Sequence, residues 1–272
     1  MATKLPHPGM SPTGEPTTFQ GCLERVNPSA ASLDNLAGKT DDAPIMMLNF
    51  LRFRPRGDNT IYSLYGKQAA PEVNKVGSFV GYYGRALTDL PLSFGFDNTW
   101  DGVVIPVYHR RRSYLDLQQS THYQLAIPYR SAGTSRRMLY SLADGYKLFS
   151  TATDVSELDE SRKPLAIDDG EVVVVELLKF RESKSIENME PYAKELQHLL
   201  HSLGANAVLS LATEEPVLSE QQWDYCMLLR FPRLELLYEF YHSKTWKVLE
   251  SYLRDELDHV LRVASQAIAI PT

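Results

Sequence analysis

Pro44-Ile-Met-Met-Leu-Asn-Phe-Leu-Arg-Phe53 and Glu171-Val-Val-Val-Val-Glu-Leu-Leu-Lys-Phe180 decide the fold, because they read as one strand written twice. Each is a short apolar run bounded by polar turns, the pattern of a strand buried on at least one face. Working outward, each run is followed by a helical stretch, residues 61–76 and 186–203, that stops at a glycine, Gly77 and Gly204. Glycine suits a helix C-cap because it takes the left-handed conformation without steric cost.

The rest of each half predicts the same order. After the first helix come a strand over 79–87, a loop over 90–99, a strand over 100–108, helices over 112–119 and 123–135, and a closing strand over 146–151. The second half gives a strand over 205–212, a loop over 214–221 around Pro216, a strand over 222–231, helices over 234–241 and 245–263, and a last strand over 266–270. Phe53 and Phe180, Tyr65 and Tyr192, and Gly77 and Gly204 are each 127 apart. Beyond the loop, Tyr108 and Phe231, Leu117 and Phe240, and Tyr123 and Trp246 are each 123 apart. One loop shortened by four residues reconciles the two spacings, so the chain is a tandem repeat. Trp100-Asp101 and Trp223-Asp224 occupy matching places, which predicts a shared structural job: the indole packs at the strand edge and the carboxylate caps the turn.

The expected fold class is therefore α+β: two tandem ferredoxin-like βαββαβ repeats whose antiparallel sheets pair into a barrel-type unit. Residues 1–42 read as a polar N-terminal arm interrupted by Pro6, Pro8, Pro12, Pro16 and Pro28, with one short helix near 32–36. Such an arm is either a disordered tail or a segment that packs across the body or a partner. Residues 43–152 form the first repeat, 153–169 a linker and 170–272 the second repeat. Each repeat leaves one sheet face free of helices. The space between the paired sheets is the natural place for a ligand.

Bulk properties narrow the functional classes. The net charge is −6, and the densest basic cluster, His109-Arg110-Arg111-Arg112, is too short to track phosphates, so no nucleic-acid partner is expected. Cys22 and Cys226 are far apart and outside any CxxC, which argues for a reducing compartment and against a disulfide scaffold or zinc site. The N-terminus has no apolar stretch to act as a signal peptide, and no run of about 18 apolar residues spans a membrane. A cytoplasmic protein, monomeric or homodimeric, is the expectation. No metal-ligand spacing, glycine-rich phosphate loop or GxSxG is present.

The first repeat resembles the DUF1330 family of dimeric α/β-barrel proteins. The resemblance rests on Met47-Leu48-Asn49-Phe50-Leu51-Arg52-Phe53, on Tyr62 and Tyr65, on Trp100-Asp101-Gly102-Val103-Val104, and on the segment from Tyr108 through Ser120-Thr121-His122-Tyr123 to Arg130. It covers roughly residues 44–142. The second repeat resembles the wider superfamily only, with Glu176 where the first has Asn49. The resemblance implies the fold, but superfamily members include metal-free monooxygenases, polyketide cyclases, isomerases, decarboxylating enzymes and haem proteins. Fold therefore does not fix function.

The sequence suggests a cofactor-independent enzyme that acts on a small apolar organic acid or polyketide-like compound. Proton transfer would drive cyclisation, isomerisation or lyase-type elimination. His109, His122 and Tyr65 are the candidate acid–base residues, because imidazole titrates near pH 6.5. Asn49, Arg52, Tyr62, Tyr108 and Arg111 are the candidate substrate-binding residues: Asn49 would donate to a carboxylate or enolate and Arg52 would supply charge. In a regular strand Asn49 and Arg52 face opposite ways. The bland alternative is that Asn49 bonds backbone while Arg52 is solvated. The competing function is a non-catalytic ligand-binding or assembly module, which a filled inter-sheet space would favour. A haem enzyme is a third reading, since tandem repeats of this size also carry haem on a second-half histidine; His198, His201, His242 and His259 are the available ligands.

Overall fold

The computed structural model describes residues 25–39, 41–55, 61–219 and 221–268. The first half holds α1 (Ala30–Ala37), β1 (Ile45–Phe53), α2 (Ser63–Lys75), β2 (Phe79–Ala86), β3 (Gly102–Tyr108), α3 (Arg111–Gln119), α4 (Thr121–Gly133) and β4 (Thr134–Ala143). After α5 (Val155–Ser161), the second half holds β5 (Val172–Phe180), α6 (Glu190–Ser202), β6 (Asn206–Leu218), β7 (Tyr225–Phe231), α7 (Leu234–His242), α8 (Lys244–Glu256) and β8 (Leu257–Ala267).

The eight strands close into one antiparallel barrel in the order β1-β3-β2-β8-β5-β7-β6-β4. Each repeat contributes a four-stranded sheet, and two seams join them. The β2–β8 seam is short, pairing Gly84 with Ala267, Arg85 with Gln266 and Ala86 with Ser265. The β4–β6 seam runs from Leu139–Leu218 to Ala143–Ala212. Closure removes the sheet edges, and one chain achieves it alone.

Strand alternation sorts the side chains into two environments. Met46, Leu48 and Phe50 of β1, with Val173, Val175 and Leu177 of β5, fill the barrel interior. Ile45 and Met47 of β1 face the helices of the first half, and Val172, Val174 and Leu178 of β5 face those of the second. The inter-sheet space expected to hold a ligand is instead an apolar core, because both inner faces carry large aliphatic and aromatic side chains at every turn of the pleat. Trp100 and Trp223 are buried in it. Asp101 Oδ2 accepts from Phe53 N at 2.6 Å and Asp224 Oδ2 accepts from Phe180 N at 2.8 Å, the shared structural job that the repeated Trp-Asp predicts. Gly77 and Gly204 follow their helices at φ +73° and +65°, as the C-cap reading requires.

Three sequence expectations are corrected. The closing strand of the first repeat is Thr134–Ala143, not 146–151, and β8 starts at Leu257, inside the expected helix over 245–263. In both halves the last helix runs straight into the last strand, so no glycine–proline loop marks the boundary. β6 continues through the expected loop to Leu218, with Pro216 opposite Tyr140 at a register shift, where a missing N–H costs no ladder bond. Within the segment read as a linker, Asp154 and Glu157 form a capping box that starts α5, and Val155 and Leu158 pack into the barrel core. The short helix expected near 32–36 is α1; it buries Leu36 against the first half. Residues 1–24 of the arm, with Cys22, lie outside the described residues.

Candidate functional site

Between the sheet and the helices of the first half lies a polar cluster in an otherwise apolar layer. Asn49 is at its floor, 6% exposed, on the helix-facing side of β1. Its Nδ2 donates to Met47 O at 2.7 Å and to Val104 O at 3.1 Å. Its Oδ1 accepts from Arg137 Nε at 2.9 Å and from Arg137 Nη2. Both Asn49 donors are committed to the main chain, so this residue orients Arg137.

Arg130 completes the cluster from α4, 1% exposed. Its Nη1 donates to Tyr123 Oη at 2.9 Å, and its Nη2 donates to Asn27 Oδ1 at 2.7 Å. The guanidinium carbon lies 5.3 Å from the Tyr65 ring centroid, a cation–π contact. Tyr65 and Tyr123 share a hydrogen bond of 2.8 Å between their hydroxyls. Tyr62 stacks on Tyr65 with centroids 5.3 Å apart, and Tyr108 meets Tyr114 edge-on at 5.3 Å. Tyr62 and Tyr65 are partly exposed, while Tyr108, Tyr114 and Tyr123 are buried.

No carboxylate among the described residues pairs with Arg130 or Arg137, and Arg130 Nε has no partner. Burying a guanidinium costs several kcal/mol unless an anion offsets it. Here the compensation comes from phenols, ring faces and amide oxygens. The electrostatic consequence appears in the tyrosines. Burial pushes the Tyr62 and Tyr114 phenols up to about 12. It also pushes Tyr65 and Tyr108 well above the usual phenol value. Burial acts the same way on Tyr123, but Arg130 and Arg137 outweigh it and hold that phenol below its ordinary value. The bonded pair Tyr65–Tyr123 therefore combines one reluctant and one willing acid.

The structure brings together Asn49, Tyr62, Tyr65 and Tyr108 from the sequence candidates and leaves four outside. His109 is half exposed at the end of β3, where its Nδ1 lies 2.6 Å from Asp159 Oδ2 of α5. His122 is exposed at the start of α4, and Arg52 is exposed on the opposite side of β1 from Asn49. Arg111 is buried and joins the halves, 2.9 Å from Asp41 Oδ1 and ion-paired with Glu214 of β6. Asn49 faces the helices and not the inter-sheet space. Sequence reasoning missed Arg137, Arg130 and Tyr123 as site residues. The signal for Arg130 was present, since Tyr123, Ala126 and Arg130 recur at helical spacing on one buried face.

The matching layer of the second half is built differently. Glu176, fully buried, replaces Asn49 and accepts from Arg262 Nε of β8 at 2.6 Å. Trp246 stands where Tyr123 does, with Arg262 5.1 Å from its ring centroid. Phe94 and Phe96, from the loop between β2 and β3, cross over to Tyr241, Phe94 stacking on its ring and Phe96 meeting it edge-on. His198, His201, His242 and His259 are all exposed, so none is placed to ligate an iron between these helices and their sheet. No group of three metal-ligating side chains occurs among the described residues. None of their helices is long and apolar enough to cross a membrane.

No family model matches the chain, and no curated protein matches it. Solved structures do match. An anthrone oxidase-like protein aligns at a TM-score of 0.55 and 10% identity, over 85% of this chain and 93% of the other. A mutant chlorite dismutase from Candidatus Nitrospira defluvii aligns at 0.46 and 10% identity, over 85% of this chain and 93% of the other. A Rhodopseudomonas palustris protein of unknown function aligns at 0.39 and 23% identity, over 45% of this chain and 98% of the other. The fold is thus the dimeric α/β-barrel architecture with two ferredoxin-like repeats, and the identities are too low to carry more than the fold.

Proposed function

We propose that the chain is an enzyme that binds a small, largely apolar organic anion in the helix–sheet layer of its first half and moves a proton on it. The supporting observation is the pair of buried arginines, Arg130 and Arg137, with no carboxylate partner among the described residues. They leave a positive field among aromatic rings, which suits a carboxylate or an enolate. Tyr123 takes a proton from the carbon beside the ligand's carbonyl, Arg130 holds the charge that develops on oxygen, and Tyr65 returns the proton. This route needs only the chain's own groups, and cyclisation, isomerisation and elimination all share it. A DUF1330-type first half fits the same reading: of the residues quoted for that resemblance, Tyr62, Tyr65, Tyr123 and Arg130 come together in this cluster.

A filled barrel interior favours the second reading, a non-catalytic ligand-binding module. Solvent-deuterium exchange at the carbon next to the carbonyl of small β-keto acids and arylacetates, followed by NMR, separates the two. Exchange that is lost in Tyr123→Phe is the expected result. Saturable binding with no exchange in the wild type would leave only the binding module.

A further inference from the structure

The repeat places an open cleft at the same end of both halves. The first, of about 860 Å³, lies where β1 ends, and is lined by Arg52, Arg54, Arg85, Asp101 and Ser135 among others. The second, of about 690 Å³, lies where β5 ends. Matched positions show how they differ. Lys179 stands for Arg52, Arg181 for Arg54 and Asp224 for Asp101, so the basic frame is common. Two of the positions that break the match bear on the charge of the first cleft. Ser135 in the first cleft corresponds to Asp258 in the second, and Arg85 in the first corresponds to Ala212 in the second.

These two exchanges push in the same direction. In the second cleft Lys179 lies 2.8 Å from Asp224 Oδ1 and Arg181 lies 3.6 Å from Asp258 Oδ1, so its cations are answered. In the first cleft Arg54 spends its Nε on Ser131 O at 3.4 Å, and neither Arg54 nor Arg85 has a carboxylate partner among the described residues. Asp101 is the single carboxylate of that lining among the described residues, and it is committed to Phe53 N. A cationic concavity persists on a chain of net charge −6. The Arg54 and Arg85 guanidinium forks suit oxyanions taken in pairs.

The geometry points to this first cleft as a binding site, distinct from the buried cluster, for a ligand carrying a dianionic oxyanion group. That group is a phosphate or a pair of carboxylates. The cleft volume accommodates a metabolite-sized molecule beyond the charged group. The assignment rests on the cleft's own charge and stands whether or not the Tyr65–Tyr123 pair moves a proton.

Isothermal titration of the full chain with inorganic pyrophosphate and, separately, with succinate tests it. The expected result is binding of at least one probe that weakens with added salt. Arg85→Ala and Ser135→Asp, both at the cleft, should weaken it by about tenfold or more. Arg181→Ala in the second cleft and Arg130→Leu in the buried cluster should leave it unchanged. Pyrophosphate binding tighter than succinate marks a phosphate-bearing ligand, and the reverse order marks a diacid. Failure of both probes to bind, or affinities indifferent to Arg85→Ala and Ser135→Asp in folded variants, overturns the assignment. Loss in Arg130→Leu alone would move the anion site to the buried cluster and overturn it equally.

Discussion

The two halves solve one packing problem with opposite electrostatics. Each sends a polar side chain from its central strand into the layer beneath its helices, and each meets it with arginine. In the second half Glu176 and Arg262 neutralise one another inside the protein. In the first half Asn49 orients Arg137, Arg130 joins from α4, and no carboxylate among the described residues answers the positive charge. The open clefts repeat the contrast, with ion pairs in the second, while Arg54 and Arg85 of the first have no carboxylate partner among the described residues. A duplicated frame has thus kept its core in both copies and concentrated unpaired charge in one. The difference teaches where to look for a ligand more sharply than any one residue does.

The largest expected effect breaks the neutral half. Arg262→Leu strands a fully buried Glu176 carboxylate and should cost about 3–5 kcal/mol in denaturant unfolding. Adding Glu176→Leu should restore most of that loss, since the two changes share one interaction. A loss that persists in the double variant would mean the pair is not the unit. Gly84→Ala probes the seams. A Cβ there would sit 2.4 Å from Tyr82 Oη and 2.9 Å from Ser265 Oγ, at the short β2–β8 seam. Overpacking should cost about 1–3 kcal/mol, read as a lower thermal midpoint.

The same kind of substitution in the first half should behave differently. Arg130→Leu removes a buried charge that has no carboxylate to strand. It should cost no more than about 1 kcal/mol of stability, while exchange activity falls by about a hundredfold or more. A loss of stability as large as that of Arg262→Leu would erase the contrast between the halves. Tyr123 supplies a pH signature. Its phenol is held low when folded, so its ionised form adds stability that is complete above the usual phenol value of about 10 and is lost as pH falls through the folded value. The stability gap between wild type and Tyr123→Phe should therefore widen as pH rises towards that value in urea titrations. A gap that is flat with pH refutes the assignment. The smallest effect belongs to Lys179→Ala, whose partly exposed pair with Asp224 should be worth less than about 1 kcal/mol.

Much of the fold was legible in the chain. Alternation in the two strand runs, the glycines after the first helices and the 127- and 123-residue spacings gave the repeat, its order and its single shortened loop. The strands that close each repeat were harder to read. Arg136 and Arg137 stand near the start of β4, and Asp258 and His259 near the start of β8. Both follow their helices without an intervening loop, and only the first boundary carries a glycine, Gly133, so local pattern alone could not tell strand from continuing helix. The site was legible in part. Tyr62, Tyr65, Asn49 and Tyr108 were readable because aromatic and amide groups stand out in apolar runs. His109 and His122 stood out equally, and one binds Asp159 while the other is exposed at a helix start.

The sequence by itself determined the duplication, the α+β class and the set of residues that must be buried, because alternation and periodicity are local and survive without partners. Only the tertiary structure decided which side of the barrel is apolar core and which side is polar. Asn49 and Phe50 are neighbours in the chain, and closure of the barrel assigns one to the helices and the other to the interior. Strand pairing within each repeat sets Arg137 against Asn49 and Arg262 against Glu176 across sequence separations of 88 and 86 residues. Charge balance inside a protein depends on such distant meetings, and no local pattern encodes them.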